Sequence, residues 1–245
     1  MNIKKHFDDF TLNARVKPVL TIVLPFIVMA IYKGIVDFEI KETGILLLVA
    51  VIVLTFGAYV IRELGKAYEE RMYKELGAMP TTIILRLSDD KIDDISKMRY
   101  HKYINSNYND THLPLTIEEE RGNSQSDNEY SSAINILRTT ANSHRVKFPR
   151  VYQDLKKYNY WRNLYGSKWY VLGLYFITVV TQVLRMENHD ILSVLKLSSS
   201  ESVMLVGLIC WSAIFCSVVT KRTVTRNAFD YAKTLVEIIE ELEKE

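Results

Sequence analysis

The chain has 245 residues, 48% of them hydrophobic, with a formal net charge of only +2. That length admits one or two soluble domains, but the apolar residues are concentrated in four blocks, which argues against such a reading. The two cysteines, Cys210 and Cys216, both fall inside the fourth block; they exclude a disulfide framework and read as small interior residues, not as a metal site.

In chain order, Lys4, Lys5, Arg15 and Lys17 precede the first block, Pro18–Val36, "PVLTIVLPFIVMAIYKGIV". No A-x-A site follows, so a retained span is predicted in place of a cleaved signal. After a short loop the second block runs from Gly44 to Ile61, and nothing breaks the helical pattern until Leu76. Gly57 and Gly65 are tolerable inside a helix, Gly77 reads as its C′ residue, and Pro80 lies just beyond. At 1.5 Å per residue this helix is about 50 Å long, so about 20 Å should extend past a hydrocarbon layer of about 30 Å.

The segment Thr81–Ile104 reads as a turn and then a helix started by Ser88–Asp90, whose oxygens can cap and whose acids suit a helix N-terminus. Asn105–Tyr130 is polar and turn-rich and is predicted to be a flexible loop. Ser131–His144 and Arg150–Tyr165 carry helical patterns, with Pro149 near the start of the second and Gly166 after it. The third block is Trp169–Leu184 and the fourth Val203–Thr220. Beyond it, Phe229, Ala232, Val236, Ile239 and Leu242 recur three or four apart, the apolar stripe of an amphipathic helix.

Sixteen Lys and Arg residues flank the ends of the blocks that face residues 62–168 and the two termini. Only Lys33, Lys41, Arg185 and Lys196 flank the other ends. The positive-inside bias therefore predicts cytoplasmic termini and a cytoplasmic middle region. The expected fold is an all-α membrane protein of two transmembrane hairpins, with spans 18–36, 44–61, 169–184 and 203–220. Residues 1–61 hold the tail and first hairpin, 62–168 a cytoplasmic helical region with the loop 105–130, 169–220 the second hairpin, and 221–245 a cytoplasmic helix.

Four groups of residues could carry chemistry. Arg138 and His144 have the arginine–five residues–histidine spacing of HEPN ribonucleases, in which both side chains meet at a dimer interface; the spacing alone arises about once by chance in such a chain. Asp89, Asp90, Asp93 and Asp94, with His101 and His112, offer hard-cation ligands, although a capped helix start explains them as well. The run Arg145–Tyr170 interleaves Arg145, Lys147, Arg150, Lys156, Lys157, Arg162 and Lys168 with aromatic residues. Such a run suits anionic lipid headgroups, or a phosphate-bearing ligand held by charge pairing and stacking. Within the blocks, Thr178, Thr181, Gln182 and Arg185 form one polar stripe, and Ser212, Cys216 and Thr220 another. Either interhelical hydrogen bonding or the wall of a water path between subunits would use them. No Asp or Glu lies in a span, which argues against a carrier built on a midplane carboxylate. Walker, GxGxxG, GxSxG and HExxH motifs do not occur, so an ATPase or common hydrolase is not expected and neither a cofactor nor a metal is implied.

Together "KELGAMPTTIILR" (74–86), "RYHKYIN" (99–105), "YSSAINILR" (130–138), "KFPRVYQD" (147–154) and "YNYWRNLYGSK" (158–168) resemble an uncharacterised group of bacterial membrane proteins. In layout, paired spans followed by a cytoplasmic helix are similar to SLATT-type effectors of prokaryotic conflict systems. The resemblance implies a multi-pass protein of the bacterial inner membrane. It further implies a homo-oligomeric sensor and effector that perturbs or gates the bilayer in stress or antiviral defence. Its implied partners are anionic lipid, further copies of the chain, and a nucleotide or nucleic-acid signal or a cytoplasmic defence protein. Two alternatives are a membrane-tethered HEPN-like ribonuclease and a non-catalytic membrane anchor.

Overall fold

The computed structural model describes residues 9–37, 43–185 and 200–244, with side chains outside 32–49 and 185–201. Every regular element among the described residues is helical. In chain order these are α1 (Asp9–Thr11), a π-helical turn (Leu12–Val16), α2 (Lys17–Asp37), α3 (Thr43–Leu76), α4 (Pro80–Ile83) and α5 (Asp94–Asn107). There follow α6 (Ile117–Gly122), α7 (Ser126–Ser143), α8 (Pro149–Arg185), α9 (Ser200–Val218), α10 (Lys221–Val236) and α11 (Ile239–Leu242). They form two compact units: residues 1–68 with 159–224, and residues 69–158 with 225–245.

Among the described residues two helices, Asp9–Ile31 and Pro149–Leu184, are long and apolar enough to cross a membrane, and a third qualifies only if Ser202–Val218 and Lys221–Leu242 count as one broken span. The start of the apolar run 44–61 lies outside the described side chains. The predicted loops 37–43 and 185–202 lie largely outside the described residues too.

In the first unit, α2, α3, α8 and α9 enclose a core of Val19, Ile22, Ala58, Ile61, Leu164, Val171, Tyr175, Leu208, Phe215 and Val219. A buried phenol needs partners: the Tyr175 hydroxyl donates to the Ile22 carbonyl (2.6 Å) and accepts from Trp211 Nε1 (3.3 Å). The outward faces of the same helices carry exposed large apolar side chains, among them Val28, Ile31, Val51, Ile52, Phe56, Phe176, Ile177, Leu184 and Ile214.

Gly166 does not end its helix, as predicted, but lies inside the 37 residues of α8. The reason is a close crossing with α3. A Cβ on Gly166 would meet the Leu64 carbonyl oxygen at 2.5 Å and Gly65 Cα at 2.7 Å, and one on Gly65 would run into Asn163 Oδ1. Both glycines are helix-interior residues because two backbones touch there. Helix continuation from α3 through Leu76 agrees with the prediction, and Gly77 takes the left-handed conformation expected of a C′ residue (φ +83°).

Three other expectations are corrected. The helix expected at Ser88 begins at Asp94, because Asp93 is the cap: its Oδ1 accepts the Ser96 N–H at 2.8 Å, while Ser88 ends a turn and Asp89 and Asp90 are irregular. The segment 105–130 is not a featureless loop. Thr116 Oγ1 caps α6 through Glu119 N–H (3.2 Å), Glu119 reaches back to Leu115 N–H (2.7 Å), and Asn105 brackets Leu113 with two side-chain bonds (2.7 and 2.9 Å). After the fourth block the chain breaks and a helix starts at Lys221, where Thr220 Oγ1 accepts Thr223 N–H (3.2 Å). It breaks again before α11. Cys210 and Cys216, read as interior residues, are exposed on the single chain.

The second unit buries Met72, Ile84, Leu85, Tyr100, Ile104, Tyr130, Ile134 and Leu137, with Ala232, Leu235, Val236 and Ile239 from the C-terminal helices. Of the predicted C-terminal stripe, Ala232, Val236 and Ile239 are buried, and Phe229 and Leu242 are half-buried.

Candidate functional site

The seven basic residues before the third block separate into two sets. Arg162 and Lys168 are buried in the first unit. Arg162 Nε and Nη2 reach Asn163 Oδ1 at 3.3 and 3.2 Å. Lys168 Nζ donates to the carbonyls of Cys216 (2.9 Å) and Val219 (2.8 Å) at the C-terminal end of α9. An ammonium placed on carbonyls that the helix leaves unbonded is a C-terminal cap. It is therefore not free for the headgroup or phosphate ligand that the sequence suggested.

The other five gather at the start of α8, in the second unit. Arg145 Cζ and Lys156 Nζ lie over the same Tyr152 ring, at 5.2 and 4.9 Å from its centroid, and Lys147 lies over Phe148 at 5.3 Å. Lys157 pairs with Asp154 at 3.3 Å. Arg145 and Arg150 are exposed. A recess of about 210 Å³ lies against this end, between Lys147, Arg150, Thr234, Glu237 and Glu241.

Arg138 and His144 do not converge on a common recess. Arg138 is half-buried, donates from Nη2 to Thr81 Oγ1 (3.1 Å), and lines a cavity of only about 20 Å³ with Tyr231 and Phe148. His144 is exposed at the end of α7, with Nδ1 3.2 Å from the Thr140 carbonyl of its own helix. The membrane-stripe residues also face their own backbone. Thr178 bonds Leu174 O and Thr181 bonds Thr178 O, each at 2.9 Å, and Ser212 bonds Leu208 O at 2.7 Å. Gln182 is half-buried and Cys216 exposed.

Sequence reading missed a polar knot in the second unit. His101 is buried, with Nδ1 2.6 Å from the Pro114 carbonyl and Nε2 2.8 Å from that of Leu85. Burial holds its imidazole below the usual range, against the pull of those two carbonyls. Lys97, fully buried one turn earlier, donates to the Asp89 carbonyl, and burial lowers its ammonium in the same way. Arg86 forms a forked pair with Asp127 (2.9 and 2.6 Å). The Glu120 carboxylate accepts from Leu87 N–H (2.5 Å), Ser88 N–H (3.3 Å) and Tyr130 Oη (2.6 Å). A neutral His101 donates to one of its two carbonyls at a time, while the other groups are bonded to one another and to main chain, so the set acts as scaffold for the 85–116 segment. Of the four aspartate candidates, Asp89 pairs with Lys91 at 2.7 Å and Asp93 caps α5, while Asp90 and Asp94 are exposed. Among the described residues no three His, Cys, Asp or Glu side chains converge as a metal site would require.

The knot carries a pH prediction. Burial pushes the Glu120 carboxyl up, but the bonds from Tyr130, Ser88 and Leu87 outweigh it and leave it below the usual range. A carboxyl lowered by folding contributes stability that is complete above its unfolded value of about 4.3 and is lost as pH falls through the folded value. Melting temperature followed from pH 6 to 3 should therefore fall less steeply for Glu120→Gln than for the parent chain, with the variant already less stable at pH 6. Parallel curves would show that Glu120 does not hold the knot.

A broad recess in the second unit, about 720 Å³, lies along the exposed side of α5 between Ile95, Met98, Arg99, Lys102 and Glu243. Arg99 is tied to Glu240 (2.8 Å) and Glu243 (3.5 Å) there. Compared with protein-family models, with curated proteins and with solved structures, the chain shows no significant match to any.

Proposed function

We propose that the chain is a four-span protein of the bacterial inner membrane, with both termini and residues 62–168 in the cytoplasm. In this reading it works as a homo-oligomeric sensor and effector that gates or disturbs the bilayer in a stress or antiviral response. One observation carries the membrane part: large apolar side chains stand exposed along α2, α3, α8 and α9. A soluble protein rarely leaves contiguous apolar surface beyond a few hundred Å² in water, whereas lipid is the natural solvent for it. Exposed Tyr59, Trp169 and Tyr170, all at the cytoplasmic ends of the predicted spans, suit the inner headgroup layer.

The closed core of the first unit is what favours an oligomer in this reading. Its four helices pack around Tyr175 and Phe215, and the hydroxyls of Thr178, Thr181 and Ser212 bond their own backbones. A water path therefore needs several copies of the chain, with these weakly polar faces turned inward. The ribonuclease alternative gains no support from the separate settings of Arg138 and His144. The anchor alternative differs from the effector only in leaving permeability unchanged.

Membrane fractionation, followed by reporter tags at both ends, tests the placement; dye entry during induced expression in bacterial cells tests the effector. The expected results are extraction by detergent only, cytoplasmic reporters at both ends, and dye entry. Recovery in the aqueous fraction would overturn the membrane reading. Dye exclusion in every growth and stress condition would leave an anchor.

A further inference from the structure

We infer that the exposed side of α5 docks a second copy of this chain, the two α5 helices lying antiparallel about a two-fold axis beside Met98. The inference names a contact for the oligomer proposed above and rests on that reading. The face lies within the second unit and holds the recess of about 720 Å³ between Ile95, Met98, Arg99, Lys102 and Glu243. Ile95 is 83% exposed there, and Met98 is half-buried beside it. One open isoleucine decides nothing by itself; the order of charges along the helix decides the occupant.

Arg99 is held by Glu240 (2.8 Å) and Glu243 (3.5 Å). That leaves on this face one exposed carboxylate, Asp94 in the first turn, and one exposed ammonium, Lys102, and neither is in an ion pair among the described residues. One spare charge of each sign is too little to hold a phosphate polymer, which needs several cations, and Asp94 and Glu243 would repel anionic headgroups. The same two charges are self-complementary. Ile95 and Lys102, seven residues apart on α5, fall nearly on one line of the helix, with about 10 Å of rise between them. An antiparallel copy centred between Met98 and Arg99 sets each Ile95 against the other copy's Lys102. The lysine stem then covers the isoleucine while its ammonium stays at the wet edge beside Asp94. A two-fold axis makes each of these contacts twice.

The test uses the full chain in detergent at low salt, with Cys210→Ser/Cys216→Ser so that only an introduced thiol reacts. Met98→Cys, close to the axis, should be joined to itself by a short bis-maleimide as a covalent dimer, and Glu118→Cys, exposed on α6, should not. Adding Asp94→Lys or Lys102→Asp to Met98→Cys sets like charges across the axis twice and should cut the dimer yield at least about fivefold, an effect that salt screens. Adding both should restore the yield, because the swap rebuilds the same pairing and shows that each single variant still folds. No dimer from Met98→Cys, equal dimer from Glu118→Cys, or no recovery in the charge swap would overturn the inference. So would a thiol at position 98 that joins, in bacterial membranes, a different protein and never its own copy. Light scattering on the same samples separates this contact from the oligomer: a multimeric parent without the cross-link loses the α5 contact alone, whereas a monomeric parent loses the oligomer as well.

Discussion

Gly166→Leu is expected to prevent the first unit from assembling, and Gly166→Ala to weaken it measurably. A Cβ at residue 166 would sit 2.5 Å from the Leu64 carbonyl oxygen and 2.7 Å from both Gly65 N and Cα. These are backbone atoms of a second helix, so no side chain can turn aside to make room. The two helices must separate, and the contacts of Leu164 and Ile61 in the adjoining core loosen with them. Overpacking of this kind costs about 1–3 kcal/mol for a small intrusion and more for a larger one. In detergent, the Ala variant should melt several degrees lower, and the Leu variant should elute as aggregate in size exclusion. Gly173, the glycine two turns further along α8, has open space where its Cβ would be, so Gly173→Ala should be neutral or slightly stabilising through helix propensity. Equal effects at 166 and 173 would show that the crossing is not as close as described.

The second large effect is expected at Lys168. Replacing it with Met keeps the length of the stem and removes the ammonium, leaving the Cys216 and Val219 carbonyls without their donor. Hydrogen bonds to a charged group contribute roughly 1.5–3 kcal/mol each, and part of that is offset because the charge no longer has to be desolvated. A net loss of about 2–3 kcal/mol is expected, seen as a lowered midpoint in denaturant. Lys168→Arg, which keeps the charge but is bulkier, should recover part of it. A merely lipid-facing lysine would show no loss in detergent lacking anionic headgroups, so an unchanged midpoint for Lys168→Met would restore the headgroup reading.

Much of the helical content was legible in residue order. Unbroken apolar runs and the Gly77 stop marked α3 because local backbone preference acts there without competition, whereas the short helix α4 stands where a turn was expected. Local signals misled where a distant partner decided the outcome. Gly166 looked like a terminator, yet Gly65, a hundred residues earlier, makes it a contact point. The polar stretch 105–130 looked unstructured, yet His101, Asn105 and Glu120 tie it down with bonds to main chain. Among the basic residues, composition could not separate Arg162 and Lys168, whose partners are in the protein, from Arg145 and Arg150, whose charges face solvent.

What residue order determined by itself was therefore helix, apolar length and the sign asymmetry of the flanks, all of which depend on neighbours within a turn or two. Tertiary structure alone decided which glycines are crossings, which cations are caps, and that each stripe of hydroxyls is bonded to its own helix. The physical reason is that a steric contact or a hydrogen bond is a property of two groups, and in these cases the second group comes from another part of the chain or from backbone geometry that only the folded helix fixes.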